Sequence, residues 1–198
     1  MTSIIVDREA IHPQFPTHLH GREFWEQLGR TVATFGFLED TLTKAIFAFT
    51  ATREYTGEYT VLEGKKALEK WLSILEKAMT DTLYPLAEVY GKVVRDHQDA
   101  DFKNVGDLVA DIKEAAEIRN ALCHGFWQAP EPSGKSLLSY FNKRLEKFDT
   151  PIDIAWLKQV QDHVVTLSCH VISSVTVMGW QFPGGVGPGS PIWTKDDA

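Results

Sequence analysis

From Gly21 to about Ala51, apolar side chains recur every three or four residues: Phe24, Leu28, Val32, Phe35, Leu38, Leu42, Ile46 and Phe49. That spacing stacks them on one face of a single long helix. An apolar stripe of this length must be covered by other elements laid along it. The chain offers several. Leu62 to Met79 reads as a second helix, with Leu68, Trp71, Leu72 and Leu75 expected to face inward. A third is expected from about Pro85 to Asp96, with Pro85 in the first turn. A fourth runs to His124, with Asn104 as cap, Asp107 in the first turn and Gly125 ending it. The last long helix spans about Asp153 to Met178. Phe126–Ala129 and Ser136–Asn142 flank the breaker run from Pro130 to Gly134, the pattern of a β-hairpin, although Leu137 to Phe148 also fits a helix. The expected fold is an all-α, up-and-down bundle of four to five helices with a small β-hairpin after the fourth helix. Gly29 and Gly36 weaken the first helix locally, or let a neighbour approach closely.

Residues 1–20 are expected to be an irregular arm, residues 21–178 the helical domain, and residues 179–198 a Gly/Pro-rich coil tail. Of the 198 residues, 43% are hydrophobic and 24% charged, a balance that suits one globular domain. The formal net charge of −7 argues against a general nucleic-acid coater and leaves only a local basic pocket for phosphate. Two widely separated cysteines, Cys123 and Cys169, argue against a disulfide framework and a thiolate zinc site. Asp7 and Glu9 near the start do not suit a secretory signal, and no apolar run is long enough to span a membrane. A cytoplasmic location is therefore expected. His12, His18 and His20 read as a loose surface cluster, because no carboxylate or cysteine sits at ligand spacing; no metal and no cofactor is expected. Cys169 and His170, about 100° apart on a helix, cannot pair as nucleophile and base. A core cysteine beside an edge histidine is the plainer assignment.

The fourth helix carries an arginine on its apolar face. With Leu108 at zero on a helical wheel, Ile112 falls at about +40°, Ala115 at −20°, Leu122 at −40° and Cys123 at +60°. Arg119 falls at about +20°, inside that stripe, while Asn120 and His124 lie together at about 120° and 160°. A guanidinium stays charged, and burying it without a partner costs several kcal/mol. It must reach the surface along its own stem, line a polar cleft, or meet an acid. The first helix carries an acid of the same kind: Glu39 lies about 60° from Phe24, among Phe35, Leu42 and Ile46. A contact between Arg119 and Glu39 across the two helices is expected.

His124 closes the fourth helix, where unpaired carbonyls favour its cationic form. A histidine and an arginine so close in sequence suit phosphodiester chemistry. His124 would serve as base toward a 2′-hydroxyl or as acid toward the leaving oxygen, and Arg119 would neutralise charge on the phosphorane. Asn120 would orient the phosphate or the histidine. On spacing alone, a helix-capping histidine beside a structural arginine is the plainer reading.

The segment Glu117-Ile118-Arg119-Asn120-Ala121-Leu122-Cys123-His124-Gly125 resembles the signature of the HEPN superfamily (higher eukaryotes and prokaryotes nucleotide-binding), an arginine followed by a polar residue and, four to six positions after the arginine, a histidine. Arg119, Asn120 and His124 match it. The long first helix with its acid in Phe37-Leu38-Glu39-Asp40 is similar in layout. The resemblance implies a helical bundle that forms a homodimer, with two motif helices lining one composite cleft. It also implies a metal-independent endoribonuclease of the toxin or defence kind, for which an antitoxin or regulatory protein would be a partner. A non-catalytic module that binds a nucleotide, RNA or a protein partner is the alternative within the same family.

Overall fold

The computed structural model describes residues 6–53 and 60–186. Five helices are arranged as α1 (Arg22–Ala51), α2 (Val61–Thr80), α3 (Leu83–Arg95), α4 (Val105–His124) and α5 (Ile154–Thr176). Strands β1 (Phe126–Trp127) and β2 (Leu138–Ser139) lie between α4 and α5. They pair antiparallel, Phe126 with Ser139 and Trp127 with Leu138. The fold is thus an all-α bundle with a small hairpin after the fourth helix, and each helix boundary lies within about two residues of its expected place.

α1 is the axis, packed against α5, α3, α2 and α4. Phe35, Leu38, Leu42, Ile46 and Phe49 of its stripe are almost completely buried. α5 supplies the broadest opposing face, Leu157, Val160, Val164, Leu167, Val171 and Val175. Polar ties fix the two helices in register: Gln27 Nε2 donates to Gln161 Oε1 at 2.7 Å, and the buried Thr31 hydroxyl reaches the Leu157 carbonyl at 3.2 Å. The Asp153 side chain caps α5 by accepting from the Trp156 amide at 2.8 Å. Thr60 and Glu63 form a reciprocal capping box at the start of α2.

α2 departs from expectation. Trp71 and Leu75 are half-buried, but Leu68 and Leu72 are exposed, and Ala78 is the fully buried residue of the helix. Its inner side is tied to α1 by the Trp71 indole donating to Thr50 Oγ1 at 2.9 Å. The Thr43 hydroxyl adds a bond to the Ala78 carbonyl at 3.2 Å. Periodicity located an apolar face, and α1 covers only one flank of it. Gly29 and Gly36 admit no close neighbour; both are exposed, with open space where a Cβ would stand. Asn104 precedes α4 without a side-chain cap bond. Cys169 is exposed rather than core, because it points about 140° away from Val164 around α5.

The arm over residues 6–20 is built of turns and docks on the bundle. The His20 ring stacks on Phe24 at 4.4 Å, and its Nε2 pairs with Ser136 Oγ at 2.6 Å. Burial pushes the His20 pKa below the ordinary histidine range. His12 and His18 stack on each other at 4.8 Å. Among the described residues no group of three His, Cys, Asp or Glu is placed to hold a metal. Beyond α5 the chain is coil over 179–186, yet it is anchored: Phe182 is buried, and Trp180 packs against Phe49 and His97. The rest of the expected tail lies outside the described residues. No described helix is long and apolar enough to cross a membrane.

Gly125 ends α4 through space rather than through backbone freedom. Its φ is −75°, open to any residue, but a Cβ there would strike the Leu138 side chain and stand 2.7 Å from the Ala121 carbonyl. Leu138 is completely buried, so the hairpin root cannot retreat. Gly125→Ala is expected to destabilise the fold by about 1–3 kcal/mol through overpacking. Urea unfolding checks this, and a loss below about 0.5 kcal/mol would place the hairpin further from α4.

Tyr90 on α3 is buried and donates to Ser174 Oγ on α5 at 2.8 Å. Burial pushes its phenol up from 10 to about 12, against the opposing effect of the Ser174 bond. The unfolded phenol ionises first, so raising the pH above 10 favours the unfolded chain. The contribution is complete below pH 10 and is lost as pH rises through 12. A decline on the order of 2 kcal/mol across that window is expected, and its absence in Tyr90→Phe, measured by denaturation at each pH, identifies the group.

Candidate functional site

α4 passes α1 and α3 near its C-terminal half, and there Arg119 meets Glu39. Arg119 Nη2 lies 3.9 Å from Glu39 Oε1, with the two side chains 26% and 25% exposed. The expected pairing is present, as a loose contact at the edge of the core. The same Glu39 oxygen accepts the Leu83 backbone amide at 3.1 Å. Thr82, the N-cap of α3, makes no side-chain cap bond, so Glu39 reaches in from α1 to satisfy the first amide of α3. One carboxylate therefore joins three helices. Arg119 Nη1 also donates to Asn120 Oδ1 at 3.4 Å. These two contacts engage only part of a five-donor guanidinium.

Asn120 lies in the wall of a cleft of about 500 Å³. One side is the start of α3 with Tyr84 and Pro85; another is the outer face of α4 with Lys113, Glu114 and Glu117; the third is Tyr140, Asn142, Lys143, Arg144 and Glu146 beyond β2. Lys113 sits over the Tyr84 ring, 4.4 Å from its centroid, and its Nζ bonds Glu88 at 3.0 Å. Hydrogen bonds to Tyr84 and Glu88 hold its ammonium above the ordinary lysine range. Partial burial, with help from the Glu117 charge, likewise raises the Tyr140 phenol.

The third wall is shaped by one side chain. Asn142 Oδ1 accepts the Arg144 and Glu146 amides at 2.9 and 3.0 Å, while its Nδ2 donates to Glu146 Oε2 at 2.7 Å. Leu145 takes a φ of 63°, a conformation that a branched side chain rarely adopts. The turn thereby carries Lys143 and Arg144 beside the cleft.

His124 is exposed at the end of α4, and neither it nor Arg119 lines this cleft. Five residues at about 100° each separate Arg119 and His124 by about 140° around the helix. The structure thus joins Arg119 with Glu39 and Asn120, and leaves His124 on the neighbouring open face. Cys123, expected on the apolar stripe, is exposed. The helix end is instead covered on the opposite side, where Ala121 is buried beneath the hairpin. Sequence reasoning missed the tyrosines and the basic turn. The run Asn142-Lys143-Arg144-Leu145-Glu146-Lys147 carried the signal, an asparagine turn presenting cations.

No protein-family model, no characterised protein and no solved structure matches this chain.

Glu39→Ala removes both the counter-charge of Arg119 and the acceptor for the Leu83 amide. A loss of about 2 kcal/mol is expected, given the partial exposure of the pair. Glu39→Gln, which keeps an acceptor, is expected to lose about half as much. Chemical denaturation of the two variants decides; a Glu39→Gln variant as stable as the wild type would leave the charge without a part in the contact, and equal losses would leave the Leu83 amide bond without one.

Proposed function

We propose that the protein is a HEPN-like, metal-independent endoribonuclease whose site is built from Arg119, Asn120 and His124 and completed by a second copy of the chain. The observation that carries this reading is the half-buried Arg119, held at Glu39 with guanidinium donors to spare, five residues before an exposed histidine. A structural arginine would use its donors inside the fold; this one keeps part of its edge at the surface.

In this scheme the 2′-oxygen of the substrate attacks the adjacent phosphorus. The 2′-O–P bond forms, the P–O5′ bond breaks, and the products are a 2′,3′-cyclic phosphate and a 5′-hydroxyl. His124 takes the 2′-hydroxyl proton or supplies the proton that leaves on O5′. Arg119 stabilises the charge that grows on the equatorial oxygens. Asn120 holds a phosphate oxygen or turns the base. Because Arg119 and His124 diverge around one helix, the His124 of a facing copy is the natural second proton-transfer group. Lys143 and Arg144 stand beside Asn120 in a cleft that also carries Glu114, Glu117 and Glu146, and they are the cations that would contact phosphate there.

The cleft favours a second reading, a nucleotide held without cleavage. Tyr140 offers a ring for stacking, and Lys143 and Arg144 stand nearby.

Purified protein is incubated with mixed RNA in EDTA, beside Arg119→Ala and His124→Ala. Cleavage that leaves 2′,3′-cyclic phosphate ends and falls at least about a hundredfold in each variant is expected. No cleavage, together with a nucleotide-dependent rise in melting temperature, would replace the ribonuclease reading with the binding one.

A further inference from the structure

The outward face of α2 is apolar and uncovered among the described residues. Val61, Leu68, Leu72 and Met79 are 93, 51, 45 and 70% exposed. With Leu72 at zero and about 100° per residue, Val61 and Met79 both fall near −20°, Leu68 near −40°, Lys65 near +20° and Glu76 near +40°. Glu69, near +60°, sits at the rim and stays solvated. The six central residues therefore form one seam along the whole helix, separate from the inner flank where Trp71 and Ala78 meet α1. Phe47, exposed on α1 with its ring 5.9 Å from that of Trp71, widens the patch on the α1 side.

The order of residues along this seam is self-complementary. Reversed about the level of Lys70, Val61 faces Met79, Leu68 faces Leu72, and Lys65 faces Glu76. Among the described residues neither Lys65 nor Glu76 has an ion-pair partner within the protomer, whereas Lys77 faces Asp81 and Lys113 faces Glu88. A seam with leucines at its centre and opposite charges at mirrored positions fits its own copy laid antiparallel, the geometry of an isologous two-fold contact. A parallel copy would set Lys65 against Lys65 and Glu76 against Glu76, which charge repulsion disfavours.

We propose that this face of α2 is a self-association surface, occupied by α2 of a second copy of the chain. The two helices run antiparallel, Leu68 and Leu72 of each interleave around the two-fold axis, and two Lys65–Glu76 pairs flank them. The surface belongs to α2, which packs on α1, and it stands independently of the ribonuclease reading. If both contacts form, each chain joins two others.

The test is solution mass by light scattering over a dilution series, with helicity by circular dichroism as the folding control. Wild-type protein is expected to associate, at a mass of at least twice the 22.3 kDa of one chain. Lys65→Glu and Glu76→Lys singly, and Leu72→Asp, are each expected to weaken association at least tenfold while keeping the helical signal. Combining Lys65→Glu with Glu76→Lys restores opposite charges and is expected to recover wild-type association. A monomeric wild type would overturn the proposal. So would an oligomer indifferent to all three single changes, which would place the contact elsewhere, or a double variant no better than its parents.

Discussion

A single carboxylate holds the bundle's polar end in place. Glu39 lies within the apolar stripe of α1, where an unpaired charge would be costly, and it resolves that cost twice. It accepts the first amide of α3, which no local side chain caps, and it faces the guanidinium of α4. Three helices distant in sequence thus meet at one oxygen. The arginine's position follows from this junction. Arg119 is kept near the surface yet off the fully solvated face.

The remaining architecture sets what surrounds that cation. Gly125 lets the hairpin close directly on the end of α4, burying Ala121 on one side and leaving His124 and Cys123 open on the other. The segment after β2 then returns past α4, and Asn142 folds it into the turn that brings Lys143 and Arg144 to the cleft beside Asn120. His124, Arg119 and the cleft beside Asn120 lie around one helix terminus, and in the proposed reading they would serve as proton-transfer group, anion-stabilising group and binding surface. Their convergence on a substrate depends on what faces α4 from outside the protomer.

Much of this was legible in the sequence, for identifiable reasons. The α1 stripe is long and regular, so its periodicity survives two internal glycines. Arg119 and Glu39 stood out because each breaks an apolar stripe, and two mutually compensating violations imply contact. Periodicity does not say what covers a face, so Leu68 and Leu72 looked like core and are exposed. Cys123 and Cys169 sit beside buried neighbours whose coverage depends on the hairpin and on the breadth of α1, neither of which a wheel contains. The role of Gly125 looked conformational and is steric, because the atom that forbids a Cβ belongs to Leu138, thirteen residues on. The cleft was hidden since its walls come from three segments, and its basic turn reads locally as an ordinary solvated loop.

The central claim is that Glu39 and Arg119 are energetically coupled at the junction of α1, α3 and α4. A double-mutant cycle with Glu39→Gln, Arg119→Met and the pair, followed by denaturant unfolding, measures that coupling directly. An interaction energy of about 1 kcal/mol or more is expected for a contact shielded on one side by the core. Losses that simply add, to within about 0.3 kcal/mol, would show that the two side chains are neighbours without being partners.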